Sequence, residues 1–73
     1  MRKLPLVSGQ ECIKALGKAG FYILRQRESH IIVRRHEPFA EVVVPNHQEL
    51  DKRTLRAIIR QVGLSVDEFI ELL

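Results

Sequence analysis

Hydrophobic residues recur along this chain with two different periods, and the switches between them divide it into elements. Cys12, Ile13, Leu16 and Ala19 follow helical spacing, and Ser8-Gly9-Gln10-Glu11 fits a capping box, with Val7 and Cys12 placed for a hydrophobic staple. This predicts a first helix over about Gly9–Ala19, stopped by Gly20 in a left-handed conformation. Three runs of β-branched and aromatic residues come next, Phe21-Tyr22-Ile23-Leu24, Ile31-Ile32-Val33 and Val42-Val43-Val44, separated by polar breaks of hairpin length. They predict antiparallel strands over Phe21–Arg27, His30–Arg35 and Ala40–Val44, with turns at Glu28-Ser29 and Glu37-Pro38 and with Pro45 ending the ladder. Period two sets His30, Ile32 and Arg34 on one face of the middle strand and Ile31, Val33 and Arg35 on the other. In the third strand Ala40, Val42 and Val44 oppose Glu41 and Val43.

Helical periodicity returns with Leu55, Ile58, Ile59 and Val62, preceded by Asp51 as the expected N-cap and ended by Gly63. The apolar stripe of this helix needs a surface to cover, and the sheet offers one. Lys52, Arg53, Arg56 and Arg60 lie on its other side. Ser65-Val66-Asp67-Glu68 repeats the capping box, with Leu64 and Phe69 as a staple, and starts a short last helix whose acidic surface is expected to act as a lid or an association surface. The expected fold class is therefore α+β: α-β-β-β-α plus a short C-terminal helix, with the helices on one face of a three-stranded antiparallel sheet. This is the element order of double-stranded-RNA-binding domains, which read helical shape and phosphates.

Length narrows the picture. The 73 residues are expected to form one domain, 1–73, with a lean core. A hydrophobic fraction of 45% is that of a packed chain, not a disordered one. The single cysteine, Cys12, leaves no internal disulfide and no zinc spacing, so no metal or other cofactor is expected and a reducing, cytoplasmic setting is. Cys12 itself reads as core filler. Met1-Arg2-Lys3 is basic, but the apolar run Leu4-Pro5-Leu6-Val7 is too short for a signal peptide or a membrane span, so a soluble, uncleaved protein is expected.

The net charge of +3 is unevenly spread: residues 1–36 carry eight Lys and Arg against two acids, and residues 37–73 carry four against seven. A basic half of this kind raises the local concentration of a polyanion, with nucleic acid the commonest such partner. Surface cations are equally compatible with plain solvation, and Lys14, Lys18, Arg53, Arg56 and Arg60 are read that way first.

Gly20-Phe21, Arg25, Ser29-His30, Val44-Pro45-Asn46-His47, Thr54-Leu55-Arg56 and Gly63-Leu64-Ser65, in this order and at these separations, together resemble the HicA toxin family of bacterial and archaeal toxin-antitoxin systems. The resemblance covers nearly the whole chain. It implies an mRNA interferase with a double-stranded-RNA-binding-like fold, neutralised by a HicB-type antitoxin. It also implies that the catalytic histidine of the family's Gly-Ser-His motif is here His30. The chain departs from that motif at Glu28, where the family usually has glycine, a residue that permits a positive φ or a close approach of substrate. It departs again at Arg53, where a glycine usually precedes Thr-Leu.

Chemistry singles out His30 as well. Metal-free RNA cleavage requires the ribose 2′-OH to lose a proton and the leaving 5′-oxygen to gain one, and an imidazole, with an ordinary pKa of about 6.5, can do either. Flanking cations would stabilise the charge that builds on the phosphate. Arg25, Arg27 and Arg34 are the candidates for that role and for RNA binding, with Lys52 and Arg56 on the second helix. Ser29 is a turn former or a phosphate donor rather than a nucleophile, since no His-Asp relay is spaced around it. His47 reads first as loop structure, with a second proton-transfer group as the alternative. His36 reads as a turn residue, and Tyr22 as core, edge or base-stacking. The competing assignment is a non-catalytic RNA-binding or partner-binding module of the same fold.

Overall fold

The structure, a computed structural model, describes residues 2–73; Met1, part of the basic amino terminus and of the expected 1–73 domain, lies outside the described residues. Its elements are α1 (Gly9–Lys18), β1 (Tyr22–Arg27), β2 (His30–Arg35), β3 (Ala40–Pro45), α2 (Lys52–Gln61) and α3 (Val66–Leu72). The strands form one antiparallel sheet in the order β1-β2-β3. The α+β layout is the expected one.

Local chemistry accounts for the helix ends. Ser8 Oγ accepts from the Glu11 backbone N–H at 3.0 Å while the Glu11 carboxylate accepts from the Ser8 N–H at 2.8 Å, and Ser65 and Glu68 repeat this at 3.1 and 2.8 Å. These boxes satisfy N–H groups that have no partner within the helix. Gly20 and Gly63 end α1 and α2 at φ 97° and 80°, in the region that side chains avoid. One expected cap differs. Asp51 occupies the N-cap position of α2 and its carbonyl accepts from the Leu55 N–H at 2.9 Å, but its side chain makes no capping hydrogen bond, so that side chain acts on the helix only through its charge.

The helices cover one face of the sheet. Ile31, Val33, Val42 and Val44 point into that layer and pack with Cys12 and Leu16 of α1, with Leu55, Ile58 and Ile59 of α2, and with Val62 just beyond it. Phe69 of α3 joins the same cluster with no exposed surface, a burial that contributes roughly 1.5–3 kcal/mol. The last helix is thus part of the core and not a lid. Arg2 ties it to the opposite end of the chain, donating to the Glu71 carboxylate at 2.6 Å and lying 3.7 Å from that of Asp67. Burial pushes the Cys12 thiol up to about 12, leaving it a neutral apolar filler at physiological pH.

Two features of the sheet are not visible in the alternation of residue types. The first is a register shift between Ile23 and Arg25 that leaves Leu24 without a partner on β2. Tyr22 pairs with Arg34, Arg25 with Ile32 and Arg27 with His30. A bulge inverts the phase of a strand, so Tyr22, Arg25 and Arg27 all share the outer face, whereas strict alternation would have separated Tyr22 from the two arginines. The second is Arg35, on the helix-facing side of β2. Its guanidinium donates to the carbonyls of Pro38 at 2.9 Å, Ala19 at 3.3 Å and Val62 at 3.3 Å, and lies 4.6 Å from the centre of the Phe21 ring. Ala19 and Val62 are the C-caps of α1 and α2, where a cation complements the helix dipole.

Candidate active site at the first hairpin

β1 and β2 are joined across Glu28-Ser29, and the closing pair of the ladder is Arg27 opposite His30. Glu28 adopts φ 54°, the left-handed conformation that glycine would take without strain. The turn is held from two sides: the Asn46 N–H donates to the Ser29 carbonyl at 2.6 Å and the Gln26 side-chain amide to the Glu28 carbonyl at 3.2 Å. On its far side, His30 pairs with Pro45 of β3, which brings the loop after β3 beside the turn.

That loop is pinned to α1. The Gly9 N–H donates to the His47 carbonyl at 2.8 Å, and Gln10 donates to the Asn46 side chain at 2.9 Å. A Cβ on Gly9 would collide with the Pro45 carbonyl oxygen, so this contact requires glycine. The Leu50 N–H donates to the Val7 carbonyl at 2.7 Å, which brings the start of α2 to the same end of the molecule. Since Arg35 gathers the C-caps of α1 and α2 at the other end of β2, both helices run parallel to that strand. Their positive N-terminal ends therefore flank the hairpin.

The candidate residues separate accordingly. Arg25, Arg27, Ser29 and His30 are exposed and lie on the hairpin, with Arg25, Arg27 and His30 on the outer face of the sheet, away from the helices. His47 is exposed on the adjoining loop and Lys52 starts α2 at this end. Arg34 shares the outer face but stands four residues, about 13 Å, along the strand from His30. Its Nε and Nη2 both donate to Glu41 Oε1, at 2.9 and 2.7 Å. The carboxylate raises the guanidinium above its already high ordinary value, so Arg34 is charged but already partnered. Arg56 is exposed on α2, one turn beyond Lys52, within the layer of helices on the other side of the sheet.

The grooves of the surface lie elsewhere, one between α1 and the carboxyl end of α3 beside Lys14, Lys18 and Leu73, another between β3 and α2 beside Val43 and Thr54. His30 instead sits on an open face, a shape suited to a polymer rather than a small molecule. Among the described residues, no three His, Cys, Asp or Glu side chains gather so as to hold a metal ion, and no helix is long and apolar enough to cross a membrane.

The family model of the HicA toxin of bacterial toxin-antitoxin systems matches residues 9–64, from the first residue of α1 to just past α2. The chain belongs to the HicA toxin family. No curated protein and no solved structure matches it. The match of this HicA-family chain contains the hairpin, the loop after β3 and both flanking helices, and leaves out α3 and the Arg2 tie. Two residues that pattern alone did not single out also stand here: Asn46, which links turn, loop and α1, and Phe39, exposed after the turn that follows β2; Tyr22, read above as core, edge or base-stacking, and His36, read as a turn residue, hydrogen-bond to each other. The signal for Phe39 was available, since a phenylalanine directly after Glu37-Pro38 stands where a turn favours polar residues.

Proposed function

We propose that this chain is the toxin of a type II toxin-antitoxin pair and acts as a metal-independent endoribonuclease on mRNA, with His30 as general acid/base. The observation that carries this reading is the exposed imidazole of His30, directly opposite Arg27 and one rung from Arg25, at an end of the sheet flanked by two helix N-termini. His30 removes the proton of a ribose 2′-OH, the 2′-oxygen attacks the neighbouring phosphorus, and the bond to O5′ breaks as that oxygen takes a proton from solvent. The products are a 2′,3′-cyclic phosphate and a 5′-hydroxyl. Arg25 and Arg27 offset the charge that develops on the phosphate, and Ser29 and Lys52 bind its neighbours. His47 is the second imidazole at this end of the molecule and the candidate for assisting the leaving group.

A HicB-type antitoxin, the partner implied by the family, silences the protein by covering the basic hairpin. Complementary charge favours an acidic partner surface there.

Purified wild type and His30→Ala, each incubated with a labelled transcript in EDTA, test the reading. The wild type is expected to cut and leave 5′-hydroxyl ends, and the variant to lose cleavage and growth arrest while keeping its fold and RNA affinity. Equal activity of the two proteins would reduce the chain to a binding module. Abolition of wild-type cleavage by EDTA would remove the metal-independent mechanism.

A further inference from the structure

The outer face of the sheet continues beyond the hairpin in a way that RNA cleavage at His30 does not by itself explain. Its side chains form three rungs across the strands: Arg27–His30–Pro45, then Arg25–Ile32–Val43, then Tyr22–Arg34–Glu41. The third rung ends in aromatic rings. Tyr22 and His36 stack with ring centres 5.4 Å apart and planes inclined by 25°, and they share a hydrogen bond of 2.8 Å between the phenol and Nε2. Phe39, 67% exposed just before β3, has the Arg34 guanidinium of that rung 5.9 Å from its ring centre. Glu41 anchors that guanidinium with two hydrogen bonds to Oε1, and all three rings keep open surface.

A protein of this size gains little from displaying a phenylalanine to water, and the rings do not stand alone. Val43 is 47% exposed on the middle rung, giving an apolar patch between the aromatic rung and that of His30. The charged side chains of the face are Arg25, Arg27 and Arg34 against Glu41, a balance that favours a polyanion. Unpaired bases stack on aromatic faces whatever their sequence, whereas a duplex keeps its bases inside. The aromatic rung stands about 13 Å from His30 along β2, a distance that a few nucleotides of single strand span.

We infer that Phe39 and the Tyr22–His36 pair form a stacking platform for unpaired bases of the RNA whose scissile phosphate lies at His30, so that this protein selects single-stranded segments. The inference rests on the ribonuclease reading and adds a subsite to it. It also sets the chain apart from the duplex reading that its element order would otherwise imply.

Binding of a short mixed-sequence oligoribonucleotide carrying 2-aminopurine, and of the same sequence as a blunt duplex, tests it in the full chain with His30→Ala, so that nothing is cut. The single strand is expected to bind at least tenfold more tightly than the duplex, with the 2-aminopurine fluorescence quenched. Phe39→Ala and Tyr22→Ala are each expected to weaken single-strand binding by roughly tenfold and relieve quenching, Phe39→Trp to restore both, and all variants to stay folded by circular dichroism at the assay temperature with duplex binding unchanged. Equal binding of both forms, or single-strand binding indifferent to Phe39 and Tyr22, would overturn the platform. Loss of antitoxin binding in Phe39→Ala with RNA binding intact would make the face a protein interface instead. Failure of the ribonuclease reading is separate: it appears as wild-type protein that does not cut.

Discussion

Glu28 holds φ 54° in the turn before Ser29-His30, a conformation that costs a residue with a Cβ about 1–2 kcal/mol. Glycine would remove that cost while adding some freedom to the unfolded chain. The substitution Glu28→Gly is therefore expected to stabilise the protein by about 0.5–1 kcal/mol, read as a higher urea midpoint at constant m-value. A lower midpoint would mean that the side chain makes a compensating interaction that outweighs the strain. Glu28 illustrates how far residue-level reading reaches. The departure from glycine was legible in the sequence, and so was its meaning for φ, because a two-residue connection between paired strands restricts the backbone whatever surrounds it.

At the scale of elements, Arg35 does what no propensity assigns to it. Alternation placed a cation on the helix-facing side of β2, and such a group must find acceptors. Which acceptors it finds depends on where α1 and α2 end. By donating to the carbonyls of Ala19, Val62 and Pro38 it joins both helix ends to the turn after β2. Arg35→Ala is expected to cost about 1.5–3 kcal/mol, measured by chemical denaturation, and Arg35→Lys most of that, because a single ammonium cannot reach three divergent carbonyls. A cost below ~0.5 kcal/mol would show that water replaces the guanidinium at both helix ends. The Leu24 bulge belongs to this scale too. Val, Ile and Phe enrichment announces a strand, but an unpaired residue is a property of two strands and their register.

Across the whole molecule, charge and shape divide into two sides. The sheet presents Arg25, Arg27 and His30 on its open face, while Asp67 and Glu71 of α3 are turned to Arg2 on the helical side. These two acids of the second half of the sequence thus face Arg2 and not the hairpin. Single-stranded RNA bound through Arg25, Arg27 and Lys52 is expected to lose affinity with salt at a log–log slope of about −2, and Arg25→Ala to flatten that slope by ~0.7. Fluorescence anisotropy titrations across a salt series measure both, and a slope near zero would mean that the basic hairpin does not contact phosphates.

The elements, their approximate ends and the layering of helices on one face of the sheet are written in the order of residues, since caps, glycines and periodicity act over a few residues and are encoded where they act. The sequence also marked His30, because an imidazole between arginines has few roles and the family's motif surrounds it. Folding in three dimensions sets which side chains share the outer face, pairs Arg34 with Glu41, and links Ser29 to α1 through the loop after β3. Each of these depends on register or on contacts between residues far apart in the chain, and a one-residue bulge is enough to carry Tyr22 and the two arginines of β1 onto the same side as His30.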